Sequence, residues 1–212
     1  ASTARMANRT SQSRSARANR GSRGRVSARD RLLKAADELF YAHGIGAVGI
    51  DRVIATAGVA KMSLYNHFDS KDDLVAAWLE RRHDQWMGWL RGCVAKAPPA
   101  SRPLAVFDAL DEWFHTDDFR GCAFINVAAE IKDRRSKAFQ ISAAHTAELN
   151  SAIRLWIAES QPSLSDSSLD RSAQELTMLV AGAILLAPLH GPDQVAGRAK
   201  ASAKRLLTDR AH

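Results

Sequence analysis

Residues Gly58–Lys71, "GVAKMSLYNHFDSK", decide how the chain is read. The stretch holds a turn glycine, two lysines and the polar trio Tyr65, Asn66 and His67. Val59, Leu64 and Phe68 are its inward anchors. A helix this short cannot hold itself together by propensity, because nucleation is costly and most helical stability comes from packing. Its polar side chains therefore need partners that the segment does not supply. Just upstream, Ile50, Val53, Ile54 and Ala57 recur at helical spacing and stop at Gly58, the residue best suited to a left-handed turn. The unit reads as helix, glycine turn, helix.

Working outward, Ser27 and Asp30 form a capping-box signature before Leu32, Leu33, Ala36, Leu39 and Phe40, a first helix that His43–Gly44 ends. Ser70 and Asp73 repeat the signature and open a long helix through Leu74, Trp78, Leu79, Trp86 and Leu90 to about Val94. "KAPPASRP" breaks it, and Leu104, Phe107, Leu110, Trp113 and Phe114 resume the periodicity. Further helices are expected at about 121–132, 136–160, 168–189 and 193–209. Strand-type alternation is missing nearly everywhere, so the expected fold class is all-α.

A helix-turn-helix places its second helix in the major groove, so the N-terminal end of that helix must be free of core duty. Lys61, Met62 and Ser63 occupy that end and are candidate readers of base edges. Tyr65, Asn66 and His67 flank the anchors Leu64 and Phe68 and are candidate donors to phosphate oxygens. Lys71 joins them from the first turn of the next helix, where unpaired backbone N–H groups also attract an anion.

Charge supports a nucleic-acid partner by its location. The 212 residues carry a formal net charge of +7. Residues 1–29 hold Arg5, Arg9, Arg14, Arg17, Arg20, Arg23, Arg25 and Arg29 without Lys or acid, leaving 22 basic against 23 acidic residues from Asp30 onward. The segment 1–26 has almost no core-forming residue and is expected to be a disordered arm. Such a polycation binds phosphate backbones by counterion release, with Arg23 and Arg25 nearest the first helix.

Other classes fare worse. "LTMLVAGAILLAPL", 176–189, is shorter than a membrane span needs and contains Pro188, so a buried helix is expected. Cys93 and Cys122 lack zinc-type spacing, which points to reduced thiols, a cytoplasmic setting and no cofactor. No nucleophile elbow or phosphate-binding glycine loop occurs. Glu80-x-x-His83 and Glu112-x-x-His115, with Glu130 and Glu148, sketch a helical di-iron enzyme, but Glu80 falls on a polar face beside Arg81 and Arg82. An architectural, sequence-neutral DNA binder is the stronger rival; it explains the arm and leaves the Trp-rich remainder idle.

The segment from Asp30 to Leu79, "DRLLKAADELFYAHGIGAVGIDRVIATAGVAKMSLYNHFDSKDDLVAAWL", resembles the DNA-binding domain of TetR/AcrR transcriptional regulators, whose signature runs Gly-Val-x-x-x-Thr/Ser-Leu-Tyr-x-His-Phe-x-x-Lys. Position by position, the resemblance implies groove contacts for Lys61, Met62 and Ser63 and phosphate contacts for Tyr65, His67 and Lys71. Gly49 and Ala60 depart from it, standing where Thr or Ser and Ser are usual as helix caps. The resemblance implies a helix-turn-helix domain at 27–71 and a larger helical body at 72–212 for ligand binding and dimerisation. It further implies a homodimer on a double-stranded, near-palindromic operator, most often a repressor, with an unidentified small-molecule effector and no membrane partner. The last two helices would pair across the dimer, and the stripe Leu176, Leu179, Val180, Ala183, Ile184 and Ala187 is expected to serve there, with burial inside one chain as the alternative. Trp86, Trp89, Trp113, Phe124, Asn126 and Glu130 are the candidate effector-pocket residues.

Overall fold

A computed structural model describes residues 26–209. Within them the chain forms α1 (Ala28–His43), α2 (Ile50–Ala57), α3 (Lys61–Tyr65), α4 (Lys71–Val94), a 3₁₀ turn (Pro99–Ser101), α5 (Arg102–Phe114), α6 (Ala123–Glu130), α7 (Lys137–Ser160), α8 (Asp166–His190) and α9 (Val195–Asp209), with no strand among the described residues. The expected boundaries hold to within a few residues. Both capping boxes form: the Ser27 hydroxyl accepts from the Asp30 amide at 3.0 Å and that of Ser70 from the Asp73 amide at 3.1 Å. Each supplies an acceptor to a helix end whose first N–H groups have none.

Two apolar clusters organise the molecule. The head cluster packs Leu32, Leu33, Ala36 and Phe40 of α1 against Val53, Leu64 and Phe68, and extends into Leu74, Trp78 and Leu79 of α4 and Ala123, Phe124 and Val127 of α6. The body cluster joins Met87, Leu90 and Val94 of α4 to Phe107 and Leu110 of α5, Ile153 and Ile157 of α7, Leu176 and Val180 of α8, and Ala203 and Leu207 of α9. The head cluster thus crosses residue 71, and α4 runs unbroken through both. α7 packs on α4, α6 and α8, while α9 closes over α5 and α8.

One expectation is corrected here. Leu176, Val180, Ala183, Ile184 and Ala187 are buried within the chain, Leu179 is half-buried, and all six pack in the body cluster. They cannot also form an outer pairing face. Met178, Leu185, Leu186 and Leu189 are the large apolar side chains that α8 exposes. α8 is long and apolar enough to cross a membrane by length and composition, with 39% of its most apolar window buried here.

Candidate nucleic-acid interface and internal cavity

α3 is five residues long and neither it nor α2 receives a side-chain cap: Ala60 and Gly49 sit at the cap positions with extended backbone and no hydrogen-bonding side chain. Their first amides are left for another acceptor. Gly58 adopts φ 60° and ψ 41°, the left-handed geometry that turns α2 into α3, and the Arg31 guanidinium donates to its carbonyl at 2.7 Å. Leu64 and Phe68 plug the unit into the head cluster. The intervening side chains point outward as expected: Met62 is 69% exposed and Tyr65 43%. Lys61, Asn66 and His67 are also exposed, and Ser63 is half-buried.

Two of the candidate cations already have partners. Lys61 pairs with Asp51 of α2 at 3.2 Å, an exposed contact of the kind worth at most about 1 kcal/mol and readily exchanged for a phosphate. The Lys71 ammonium donates to the Ile45 carbonyl in the α1–α2 turn. Arg23 and Arg25 lie outside the described residues.

The same turn is gripped from the body. Glu130, at the end of α6, accepts from the Gly46 amide at 2.6 Å and the Ile45 amide at 3.3 Å. Gly44 has φ 79°, a backbone geometry that favours glycine, and a Cβ there would stand 2.7 Å from a Glu130 carboxylate oxygen and push that side chain aside. Glu130 is therefore a head–body contact and not a cavity residue. Asn126 is exposed and lines a cleft with Glu130, Tyr41 and Arg120 on the other side of α6. Both were expected in the effector pocket. Eight residues of α6 cannot present one turn to the body interior and the next to the head without splitting its faces, and these two fall on the head side.

The interior cavity of the body is small, with about 60 Å³ open to a water-sized sphere. Its walls include Trp86, Trp113, Phe124, Ile125, His145, Leu149, Val180 and Ile184. Trp86, Trp113 and Phe124 are thus on the cavity wall. Trp89 is not on the wall; it backs Trp86 and Trp113 with ring centroids 6.0 Å away in each case.

Polar groups at this cavity are mostly committed. Thr177 donates its hydroxyl to the Ala173 carbonyl and lies 3.1 Å from the Asn150 side-chain oxygen, and Thr146 donates to the Ser142 carbonyl. The Arg82 guanidinium bonds Asp37 of α1 at 2.6 Å and lies 3.6 Å over the Tyr41 ring. Burial pushes the Cys122 thiol up, so it stays protonated. His145 was missed by the sequence reading. It is buried, stacked on Phe124 with centroids 3.6 Å apart, and its Nδ1 faces His83 Nδ1 at 3.0 Å. His83 Nε2 in turn meets Glu148 at 3.0 Å, and Arg91 donates to the same carboxylate at 2.6 Å. Burial, then the charge of His83, lowers the His145 pKa to about 3, while the Arg91 hydrogen bond chiefly holds Glu148 below its ordinary value. The one available signal was a histidine in register with Ser142 and Leu149 on an otherwise apolar face of α7.

Of the pieces of the di-iron sketch only His83 and Glu148 meet. Glu80 and Glu112 are exposed, and His115 bonds Asp111 and Asp193 at the surface. Among the described residues no group of three or more His, Cys, Asp or Glu is placed to hold a metal ion.

Comparison with known proteins agrees with this geometry. The family described as "Bacterial regulatory proteins, tetR family" matches residues 32–78. SCO4454, a TetR-family transcriptional regulator from Streptomyces coelicolor, superposes with a TM-score of 0.79 at 30% identity, covering 87% of this chain and 96% of that one. A TetR-type protein of Streptomyces avermitilis gives 0.73 at 32% identity, covering 87% and 98%. FasR of Mycolicibacterium smegmatis, a transcriptional activator, is 43% identical over 63 residues, or 30% of this chain and 29% of its own length. The chain thus spans under a third of the length of that curated relative. These relatives are regulators of transcription and not enzymes. With the helix-turn-helix exposed at one end and the helical body matching along nearly its whole length, the chain belongs to the TetR family of DNA-binding transcriptional regulators.

Proposed function

We propose that the protein is a homodimeric, ligand-responsive repressor working in the cytoplasm, in which the helix-turn-helix at 27–71 reads one half-site of a near-palindromic operator and the body at 72–212 holds the effector and the dimer contact. The observation that carries this is the continuity of α4, which bears Lys71 at the head and Arg82 and Trp86 at the cavity wall. A ligand that favours one placement of α4 alters the separation of two heads, provided it binds the two arrangements with different affinity. Lys61, Met62 and Ser63 would meet bases, and Tyr65, Asn66, His67 and Lys71 phosphates. Arg23 and Arg25 would follow the backbone from the preceding arm. Trp86, Trp113 and Phe124, backed by Trp89, would enclose the effector.

The second subunit is supported by the outer face of α8. Met178, Leu185 and Leu189 recur at helical spacing with Gly182 between them, and Leu186 is exposed beside Leu185. An apolar patch of this kind on a water-soluble regulator calls for a protein partner, and a second copy supplies the symmetric pair of heads that an operator demands.

Selection of bound sites from random duplexes, followed by affinity against salt, tests the reading. Tyr65→Phe or Lys71→Ala should weaken binding across all sequences. Lys71→Ala should also flatten the log–log salt slope by about 1, because one phosphate is no longer neutralised. Lys61→Ala or Met62→Ala should instead change the preferred bases. Removing residues 1–25 should weaken binding with site preference retained. Loss of nearly all binding on that deletion would favour the architectural alternative. A monomer with no preference for symmetric duplexes would sink the reading.

A further inference from the structure

The cavity wall contains an imbalance that points to the chemistry of its occupant. Nε1–H of Trp86 is buried without a hydrogen-bond acceptor among the described residues. A buried donor left in that state costs on the order of 1–3 kcal/mol, and a native protein retains one where something else completes it. Across a ring-centroid distance of 5.2 Å lies His145, whose available atom follows from its neighbours. When both imidazoles are neutral, the Glu148 carboxylate can only accept, so His83 Nε2 carries the proton that donates to it. His83 Nδ1 is then an acceptor, which places the His145 proton on Nδ1 and leaves its Nε2 a bare lone pair. No described residue donates to that atom.

The wall therefore offers an uncharged donor and an uncharged acceptor without partners, set among aromatic and aliphatic surfaces. It offers no free charge. Arg82 is neutralised by Asp37, Cys122 is protonated, and the hydroxyls of Thr146 and Thr177 are bound within or between their helices. A carboxylate entering here would lose its hydration with no cation to replace it, and a hydrocarbon would leave the Trp86 donor unsatisfied.

We infer that the effector is an uncharged aromatic molecule bearing a hydroxyl, whose oxygen accepts from Trp86 Nε1–H and whose proton is donated to His145 Nε2. The inference rests on the effector-binding reading of the body and specifies it. The two rings are set edge to face with neither bonded to the other. The Arg91–Glu148–His83 line acts behind them as a positioning device, holding the His145 tautomer that accepts.

Calorimetry on the full chain at pH 8, with 4-ethylphenol, ethylbenzene and 4-ethylbenzoate as matched probes, tests this. The phenol should bind at least tenfold more tightly than either of the others. Trp86→Phe should reduce phenol binding five- to tenfold and leave ethylbenzene within twofold; His145→Phe should do the same, and Glu148→Gln should weaken the phenol alone. Ethylbenzene binding as tightly as the phenol, or the benzoate binding best, overturns the chemical class while leaving an effector cavity in place. If none of the three binds but a compound from a thermal-shift screen releases operator DNA, the class is again overturned and effector control stands. If no compound in that screen releases DNA, effector control itself fails.

Discussion

Trp78 and Trp86 lie about two turns apart on α4 and belong to different apolar clusters. Trp78 is 1% exposed in the head, stands edge to face with Phe40 at 5.4 Å, and donates its indole N–H to Asp37 at 2.7 Å. Trp86 is in the body, touches Trp89, Trp113 and His145, and has no acceptor for the same group. The head has completed its interior and leaves its open hydrogen-bonding groups outside, on Tyr65, Asn66 and His67. The body does the reverse. The placement of unfinished bonds distinguishes the two partners: an outer polar face suits a large polyanion, and a lone inner donor suits a small molecule that can be enclosed.

The contrast is broken most severely from the head. Trp78→Ala should cost about 3–5 kcal/mol, because it removes a fully buried aromatic and strands the Asp37 acceptor that Arg82 shares; a fall in the urea midpoint at unchanged slope is the measure. If Asp37 and Arg82 also tie head to body, the variant should lose operator affinity at temperatures where it remains folded.

Acid is expected to act through the body. Above pH 6.5 His145 is neutral folded and unfolded alike and adds no pH dependence. Below that value the unfolded chain takes up a proton that the native ring refuses until its pKa of about 3. Stability should therefore fall by about 1.4 kcal/mol per pH unit on this account between those limits. His115, whose pKa its hydrogen bonds to Asp111 and Asp193 raise, acts with the opposite sign and above 6.5: its stabilisation is lost as pH rises through the raised value and is constant below that window. Glu148 adds its own loss as pH drops through its lowered pKa. The difference between the wild-type and His145→Phe profiles from pH 7 to 5 isolates the buried ring, and parallel profiles would show that it is not kept neutral.

Trp86→Phe should have the smallest effect on the empty protein. Phenylalanine keeps most of the apolar contact and removes the stranded donor, so the packing loss and the relieved desolvation oppose each other. A net change under about 1 kcal/mol in thermal denaturation is expected, set against the several kcal/mol of Trp78→Ala. Equal penalties at the two tryptophans would mean that Trp86 has a partner after all.

The head was the more legible region because its signals are local. Capping boxes at Ser27 and Ser70, the left-handed Gly58 and the spacing of Leu64 and Phe68 act within a few residues, and the missing caps at Gly49 and Ala60 were equally visible. The body shows where such signals stop. Helical periodicity marked Leu176, Val180 and Ile184 as apolar without saying whether α9 or a second subunit would cover them. Trp86 and Trp113 were recognisable as aromatic residues near a cavity, whereas Glu130 was assigned to it wrongly because a carboxylate one turn beyond Asn126 carries no mark of which neighbour its face will meet.

From the order of its residues alone, this chain determined an all-helical architecture, the place of its helix-turn-helix and the side chains left outward on the recognition helix. Backbone propensity, capping and periodicity depend on neighbours a few positions apart, and that information is written in the order itself. Only the tertiary structure decided that Glu130 grips the α1–α2 turn 84 residues away, that His83 and His145 meet across 62, and that Trp86 closes a cavity with an unmet donor. Those contacts arise when helices distant in sequence pack at particular angles and registers, so their polar groups find partners, or fail to, only after the core has formed.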